Sequence, residues 1–119
     1  MRDLMKALKA LSDETRLRIL NLLFERECCV CEVMQALNIS QTRASRNLNL
    51  LYDAGFLHLR KEGLWSLYSI DEAGMPGYFV NLLEAIKKSI AGNIIMAQDR
   101  ERLLKAERVG PCCVRKMQK

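Results

Sequence analysis

Histidine is almost missing from this 119-residue chain, where His58 stands alone. It has no evident partner, and nucleophilic or acid–base catalysis needs a base close to the attacking group. Internal repeats, low-complexity tracts and Ser/Gly-rich linkers are absent too, so the sequence reads as one continuous fold with a modest core. No apolar run approaches the roughly 20 residues of a membrane span. The N-terminus "MRDLMKALKALSDETRL" carries early acidic residues and lacks the apolar block of a signal peptide. The expected location is cytoplasmic, where thiols stay reduced and disulfide staples are rare. Oxygen-rich clusters of the kind that hold calcium or magnesium are not evident.

Sulfur and positive charge are present instead. Five cysteines fall in two clumps, Cys28, Cys29 and Cys31 in "ECCVCEV", then Cys112 and Cys113 in "GPCCVRK". Adjacent cysteines make poor structural disulfides, and clumps in a reduced compartment point to metal binding or redox chemistry. The net charge of +5 favours a polyanionic partner, and a symmetric dimer doubles it.

Periodicity orders the elements. Leu4, Leu8 and Leu11 have amphipathic-helix spacing over residues 3–11. Ser12 or Asp13 can cap a second helix with Leu17, Leu20 and Phe24 along one side. A short third helix covers about residues 29–37, and Asn38-Ile39 makes a tight turn. Ser40 caps a fourth helix over residues 41–53, with Ala44, Leu48 and Leu51 inward and Gln41, Thr42, Arg43, Ser45, Arg46 and Asn49 largely outward. Gly55 ends that helix, and "FLHLR" and "WSLYSI" form a hairpin across Lys61-Glu62-Gly63-Leu64. Pro76 opens one last helix striped by Phe79, Leu82, Leu83, Ile86 and Ile90, which Gly92 weakens midway.

Helix, short turn, helix and hairpin in this order predict a mainly α, dimeric winged helix-turn-helix. Its body spans residues 1–107, followed by a flexible cysteine-containing tail over residues 108–119. The major groove admits one helix, whose N-terminal residues reach base edges. Gln41 and Arg46 suit bidentate contacts to adenine and guanine. Ser40, Thr42, Ser45 and Asn49 suit bases or phosphates, and Arg43 suits phosphates. Arg60 and Lys61 on the hairpin suit the backbone or an adjacent minor groove. A dimer reads an imperfect inverted repeat of double-stranded DNA. Its natural contact surface is the first and last helices. Trp65 reads as packing or wing-steering.

"LSDETRLRILNLL", "ECCVCEVMQALNISQTRASRNLNLLYDAGFL" and "RKEGLWSLYSID" resemble, in order and spacing, the ArsR/SmtB family of metal-responsive repressors, over about residues 4–90. Within it, "CVC" followed by "SQ…SR.L..L" looks like the arsenical-resistance operon repressors. The resemblance implies a homodimer on operator DNA that lets go on binding trivalent arsenic or antimony, with no organic cofactor. Asn47 stands where many members have His.

Trivalent arsenic and antimony are soft and favour three sulfurs below a lone pair. A helix N-terminus can lower a thiol toward the thiolate, which favours capture at the start of the third helix. Residues two apart in a straight helix point about 200° apart, so Cys29 and Cys31 need a frayed or opened first turn to share an ion. Cys28 and Cys31 can share a face. The resemblance implies a further ligand at position 34, where this chain has Met34. Cys28, the tail pair Cys112 and Cys113, or an outside ligand can complete the site. A thiol-redox switch of the same fold remains an alternative, through Cys28 with Cys31 or Cys29 with a tail cysteine. A cadmium or lead sensor is another, if the tail pair completes a four-sulfur site. Zinc-sensing relatives use His and carboxylates on the last helix, which here has no His. A thiol enzyme or metallochaperone fits poorly: "CCVRK" lacks the spacing of an anion-cradling loop.

Overall fold

A computed structural model describes residues 1–109. Cys112 and Cys113 therefore lie outside the described residues. The first helix, α1, spans Arg2–Leu11. Asp13 accepts the Arg16 amide at 3.1 Å and so caps α2 (Glu14–Glu25). A two-residue strand, β1 (Cys28–Cys29), leads into α3 (Val30–Leu37). That helix stops at Asn38, which turns the chain through φ 56°, a left-handed conformation that asparagine tolerates. Ser40 accepts the Arg43 amide at 3.2 Å and starts α4 (Gln41–Asp53). Gly55, at φ 98°, turns the chain into β2 (Leu57–Glu62). β3 (Trp65–Ile70) returns antiparallel across a two-residue loop in which Gly63 takes φ 61°. α5 (Gly77–Ile90) and α6 (Ile94–Lys105) follow.

The winged helix-turn-helix reading agrees with this architecture, with two refinements. The hairpin is part of a three-stranded sheet ordered β1-β3-β2, because Cys28 and Cys29 pair with Tyr68 and Leu67. A strand this short leaves no alternating pattern to find. The single last helix expected from Pro76 onward is in fact two. Asn93 takes an extended backbone and its side chain accepts the Met96 amide at 3.1 Å, a new N-cap just after Gly92.

Ala44, Leu48 and Leu51 of α4 are fully buried, packed with Ile19, Leu20 and Leu22 of α2, Val33 of α3 and Phe56. On α1 the inward positions are Ala7, Ala10 and Leu11, while Leu8 remains 42% exposed. Exposed Leu8 and Met5 lie on the same helix as a groove of about 640 Å³ lined by Met1, Leu4, Tyr78, Asn81 and Leu82. No helix among the described residues is long and apolar enough to cross a membrane.

Polar clamps hold α6. Asp99 is fully buried and takes a two-pronged ion pair from Arg18 of α2, at 2.7 and 2.8 Å, and a second from Arg102. Arg102 also donates to the Ala36 carbonyl at the end of α3, at 2.6 Å. Asn21 donates to the Met96 carbonyl at 3.0 Å. Asp99→Ala should therefore lower the unfolding free energy by about 2–4 kcal/mol, read as a lower denaturant midpoint at unchanged slope. It strands two guanidiniums, but both keep partial access to water.

Candidate nucleic-acid interface and thiol pair

The outer face of α4 carries Thr42, Arg43, Arg46 and Asn49, all exposed, with Gln41 and Ser45 half-buried. Several of these side chains already have protein partners. Gln41 donates to Ser45 Oγ at 2.9 Å, Arg43 donates to Thr15 at 3.1 Å, and the Tyr68 hydroxyl donates to Asn49 at 3.3 Å. One lies within α4 and the other two tie it to α2 and β3, and Thr42, Arg43, Arg46 and Asn49 stay exposed. Arg46 stays exposed one turn beyond Thr42.

Asn47 turns the other way. It is 6% exposed, accepts Arg16 of α2 at 2.9 Å and donates to the Arg43 carbonyl at 2.9 Å, locking α2 against α4. Arg16 in turn donates to the Ala10 and Lys9 carbonyls at the end of α1. This staple was missed in the sequence because asparagine in a helix reads as surface.

On the wing, Lys61 donates to Ser66 at 2.8 Å and remains exposed. Arg60 is bound by two carboxylates, Glu27 at 2.7 and 2.8 Å and Glu62 at 2.8 Å. That bridge holds the Glu27 carboxyl below its ordinary value. The sequence placed Arg60 and Lys61 together as wing cations. The structure leaves Lys61 open and neutralises Arg60.

The thiol cluster divides in two. Neighbouring residues of a strand face opposite sides. Cys28 enters the main core, whereas Cys29 packs with Cys31, Leu67, Trp65 and Val109 in a separate small core. The structure brings Cys29 and Cys31 together and does not bring Cys28 to them. Cys29 and Cys31 are 3% and 1% exposed, with sulfurs 2.7 Å apart sharing a hydrogen bond. The expected conflict of helix geometry does not arise: α3 begins at Val30, and Cys29 is its N-cap with extended backbone. An extended residue followed by a first turn lets side chains two apart converge.

Glu32 fixes that N-cap. Its carboxylate accepts the Cys29 amide at 2.9 Å while the Cys29 sulfur accepts the Glu32 amide, a reciprocal cap with cysteine in the usual Ser/Thr place. Glu32 is 3% exposed and pairs with Arg26 at 2.8 Å and Arg108 at 3.1 Å. Burial alone would raise its carboxyl, but the Cys29 amide and the two guanidiniums hold it below the usual range. Glu32 stands three residues after Cys29, the capping-box spacing, and that signal was available in the sequence.

The thiols themselves run against expectation. A helix N-terminus was expected to ease their ionisation, yet the hydrogen bond shared with Cys31, and then burial, push Cys29 well up. Burial pushes Cys28 up to about 12. Removing a thiol proton in this small apolar core leaves a charge with little water to solvate it.

Residues 106–109 run across the pair. The Gln35 amide donates to the Glu107 carbonyl at 2.7 Å and accepts the Glu107 amide at 3.0 Å, as a strand neighbour would. The Cys31 thiol faces the same Glu107 carbonyl at 3.9 Å, and Arg108 lies 5.6 Å over the Trp65 ring. Arg108 and Val109, assigned to the tail in the sequence, are thus seated against the body. Among the described residues no three of Cys, His, Asp and Glu converge to hold an ion.

A sequence profile of the bacterial regulatory protein arsR family matches residues 13–58. A cadmium resistance transcriptional regulatory protein CadC homolog of Staphylococcus aureus is 44% identical over 71 residues, 59% of each chain. The arsenical resistance operon repressor of Escherichia coli K12 is 49% identical over 63 residues, 52% of this chain and 54% of that protein. This chain thus spans little more than half the length of those two relatives. An arsenical resistance operon repressor of Staphylococcus aureus is 30% identical over 111 residues, 93% of this chain and 97% of that one. Among solved structures, a homodimeric winged helix-turn-helix DNA-binding domain from Mycobacterium bovis, a possible ArsR-family regulator, superposes with a TM-score of 0.64 at 27% identity. It covers 78% of this chain and 82% of that chain.

The two faces of α4 make separable demands on stability. Asn47→Ala should cost about 1–2 kcal/mol of unfolding free energy, because it removes the buried amide that joins the half-buried Arg16 to the Arg43 carbonyl. Arg46→Ala should stay within about 0.5 kcal/mol. Chemical denaturation of the two variants checks both.

Proposed function

The chain belongs to the ArsR family of DNA-binding transcriptional regulators, and from that premise we propose that it is a homodimeric repressor released from its operator by trivalent arsenic or antimony. The observation that carries this reading is the Cys29–Cys31 pair, two sulfurs 2.7 Å apart at the first turn of the helix preceding α4. Capture there acts on the helix that supports the DNA-reading one. The exposed face of α4, with Gln41, Thr42, Arg43, Ser45 and Arg46, supplies base and phosphate contacts, while Ser40 caps the helix and Lys61 supports from the wing. The apolar groove between α1 and α5 suits a second copy of the chain.

Chemistry favours arsenite over a divalent cation. As(OH)₃ forms two As–S bonds by passing both thiol protons to two of its hydroxyls, which leave as two waters. The site stays neutral, as a buried pair without ready thiolates requires. Cadmium has no such acceptor and must expel protons. The segment through Val109 packs against the thiol pair, and Cys112 follows Val109 by three residues, a reach of about 10 Å for extended chain. Cys112 or Cys113 is therefore the protein's own candidate for the third sulfur.

Anisotropy of operator DNA, titrated with arsenite, antimonite, cadmium, lead, zinc and peroxide, tests the reading. Arsenite and antimonite should release the DNA, and release only by peroxide or cadmium would replace the metalloid with one of the rivals. Cys29→Ser and Cys31→Ser should keep operator affinity and lose the response. Normal dissociation in either variant would mean that the site is misplaced. Arg46→Ala should weaken operator binding and leave arsenite affinity without DNA unaltered. Calorimetry in buffers of different ionisation enthalpy should find no net proton release with arsenite.

A further inference from the structure

Trp65 Nε1 is sealed from solvent and has no hydrogen-bond partner, alone among buried side-chain nitrogens and oxygens of the described residues. A buried N–H left unpaired is costly enough to need a reason. Its position supplies one. Cys29 lies directly opposite Leu67 in the β1–β3 ladder, and Trp65 is two residues before Leu67 on the same sheet face. Cys29, Cys31 and Leu67 form one cluster, with Trp65 and Val109 packed against it. Arg108 lies over the indole face, 5.6 Å from the ring centre. The ring thus packs against the thiol cluster and carries a donor with nothing to receive it.

We propose that Trp65 is a specificity-determining residue of the inducer site, whose indole N–H donates to the third ligand of the captured metalloid. This rests on the metalloid reading above. Arsenite bound to Cys29 and Cys31 retains a hydroxyl, or exchanges it for a cysteine sulfur with loss of a third water. Oxygen and sulfur both accept a hydrogen bond. Methylarsonous acid, CH₃As(OH)₂, also forms two As–S bonds and releases two waters, but its third substituent is a methyl group. That methyl leaves the indole N–H unpaired and takes the room an acceptor would fill. Trp65 therefore selects inorganic arsenite or antimonite against methylated arsenicals. Because it opens β3, it also ties the captured ion directly to the wing.

The test compares arsenite and methylarsonous acid on the full-length protein by calorimetry, with protection of Cys29 and Cys31 from alkylation as an independent readout of binding. In the wild type, arsenite should bind more tightly, and the ¹⁵N-labelled indole resonance of Trp65 should move downfield with arsenite alone. Trp65→Phe, which keeps a ring and removes the donor, should weaken arsenite binding about tenfold, leave methylarsonous acid within about twofold, and keep operator affinity. Equal losses for both ligands would mean that the ring only packs, and would overturn the proposal. Cysteine protection by arsenite with an unmoved indole resonance overturns it too, without needing the variant to fold. If no metalloid protects the wild-type cysteines, the inducer reading itself falls, and this inference with it.

Discussion

The reciprocal cap between Cys29 and Glu32 is the contact on which the rest of the site depends. Because Cys29 is held as an N-cap, α3 starts at Val30, two residues later than a helix through the whole thiol run would, and two sulfurs that helical geometry would separate come together. The carboxylate that fixes the cap is buried, so it needs counter-charge, and it draws Arg26 from the end of α2 and Arg108 from beyond α6. One glutamate thus sets the backbone of the thiol pair and gathers two distant parts of the chain around it. Its removal would leave two guanidiniums facing an apolar pocket and a helix start without its acceptor.

Two mechanical routes lead away from that node. One runs along α3 itself, eight residues long, to the left-handed turn at Asn38 and the Ser40 cap of α4. The other runs across the sheet, where Cys28 and Cys29 pair with Tyr68 and Leu67 on the strand that forms one side of the wing. Tyr68 also donates to Asn49 on the outer face of α4. A displacement at β1 is therefore felt by the wing and the reading helix together. Helix α6 restrains the opposite end of α3, through Arg102 and the Ala36 carbonyl.

Most of this architecture was legible where hydrophobic spacing and capping residues agree. The span of α4 and its buried trio Ala44, Leu48 and Leu51 followed from such agreement, as did the Ser40 cap and the turn at Gly55. What escaped notice was polar and non-local. Asp99 reads as a surface residue of an exposed helix until Arg18, 81 residues earlier, is placed beside it. Asn47 reads likewise until α2 is set against α4. The Cys29–Cys31 pairing was expected to need a first turn either frayed beforehand or pulled open, and spacing alone does not say on which residue a helix starts. The N-cap at Cys29 leaves the pair outside a regular turn. The ionisation of the thiols was misjudged for a related reason: proximity to a helix N-terminus is visible in sequence, whereas the apolar wall of Leu67, Trp65 and Val109 is not. At Cys29 the hydrogen bond shared with Cys31, and then that wall, outweigh the helix.

The energies involved are matched in size. A ligand shifts a conformational equilibrium only by its differential affinity for the two states, and coupling between two sites on a protein is commonly about 1–3 kcal/mol. An unpaired buried donor carries about the same amount. With the Trp65 N–H on the wing and the thiols at the start of α3, the proposed hydrogen bond to a captured metalloid would require wing and helix to stand in one particular relation. DNA bound across α4 and the wing imposes its own relation on the same two elements. If the two differ, a single hydrogen bond gained in one arrangement and lost in the other is enough to account for release. No large rearrangement of the core, whose packing resists gradual deformation, is then required. If capture at the thiols releases the operator as proposed, reciprocity requires the operator to weaken capture by the same factor, and the response is then sharpest where operator occupancy is already marginal.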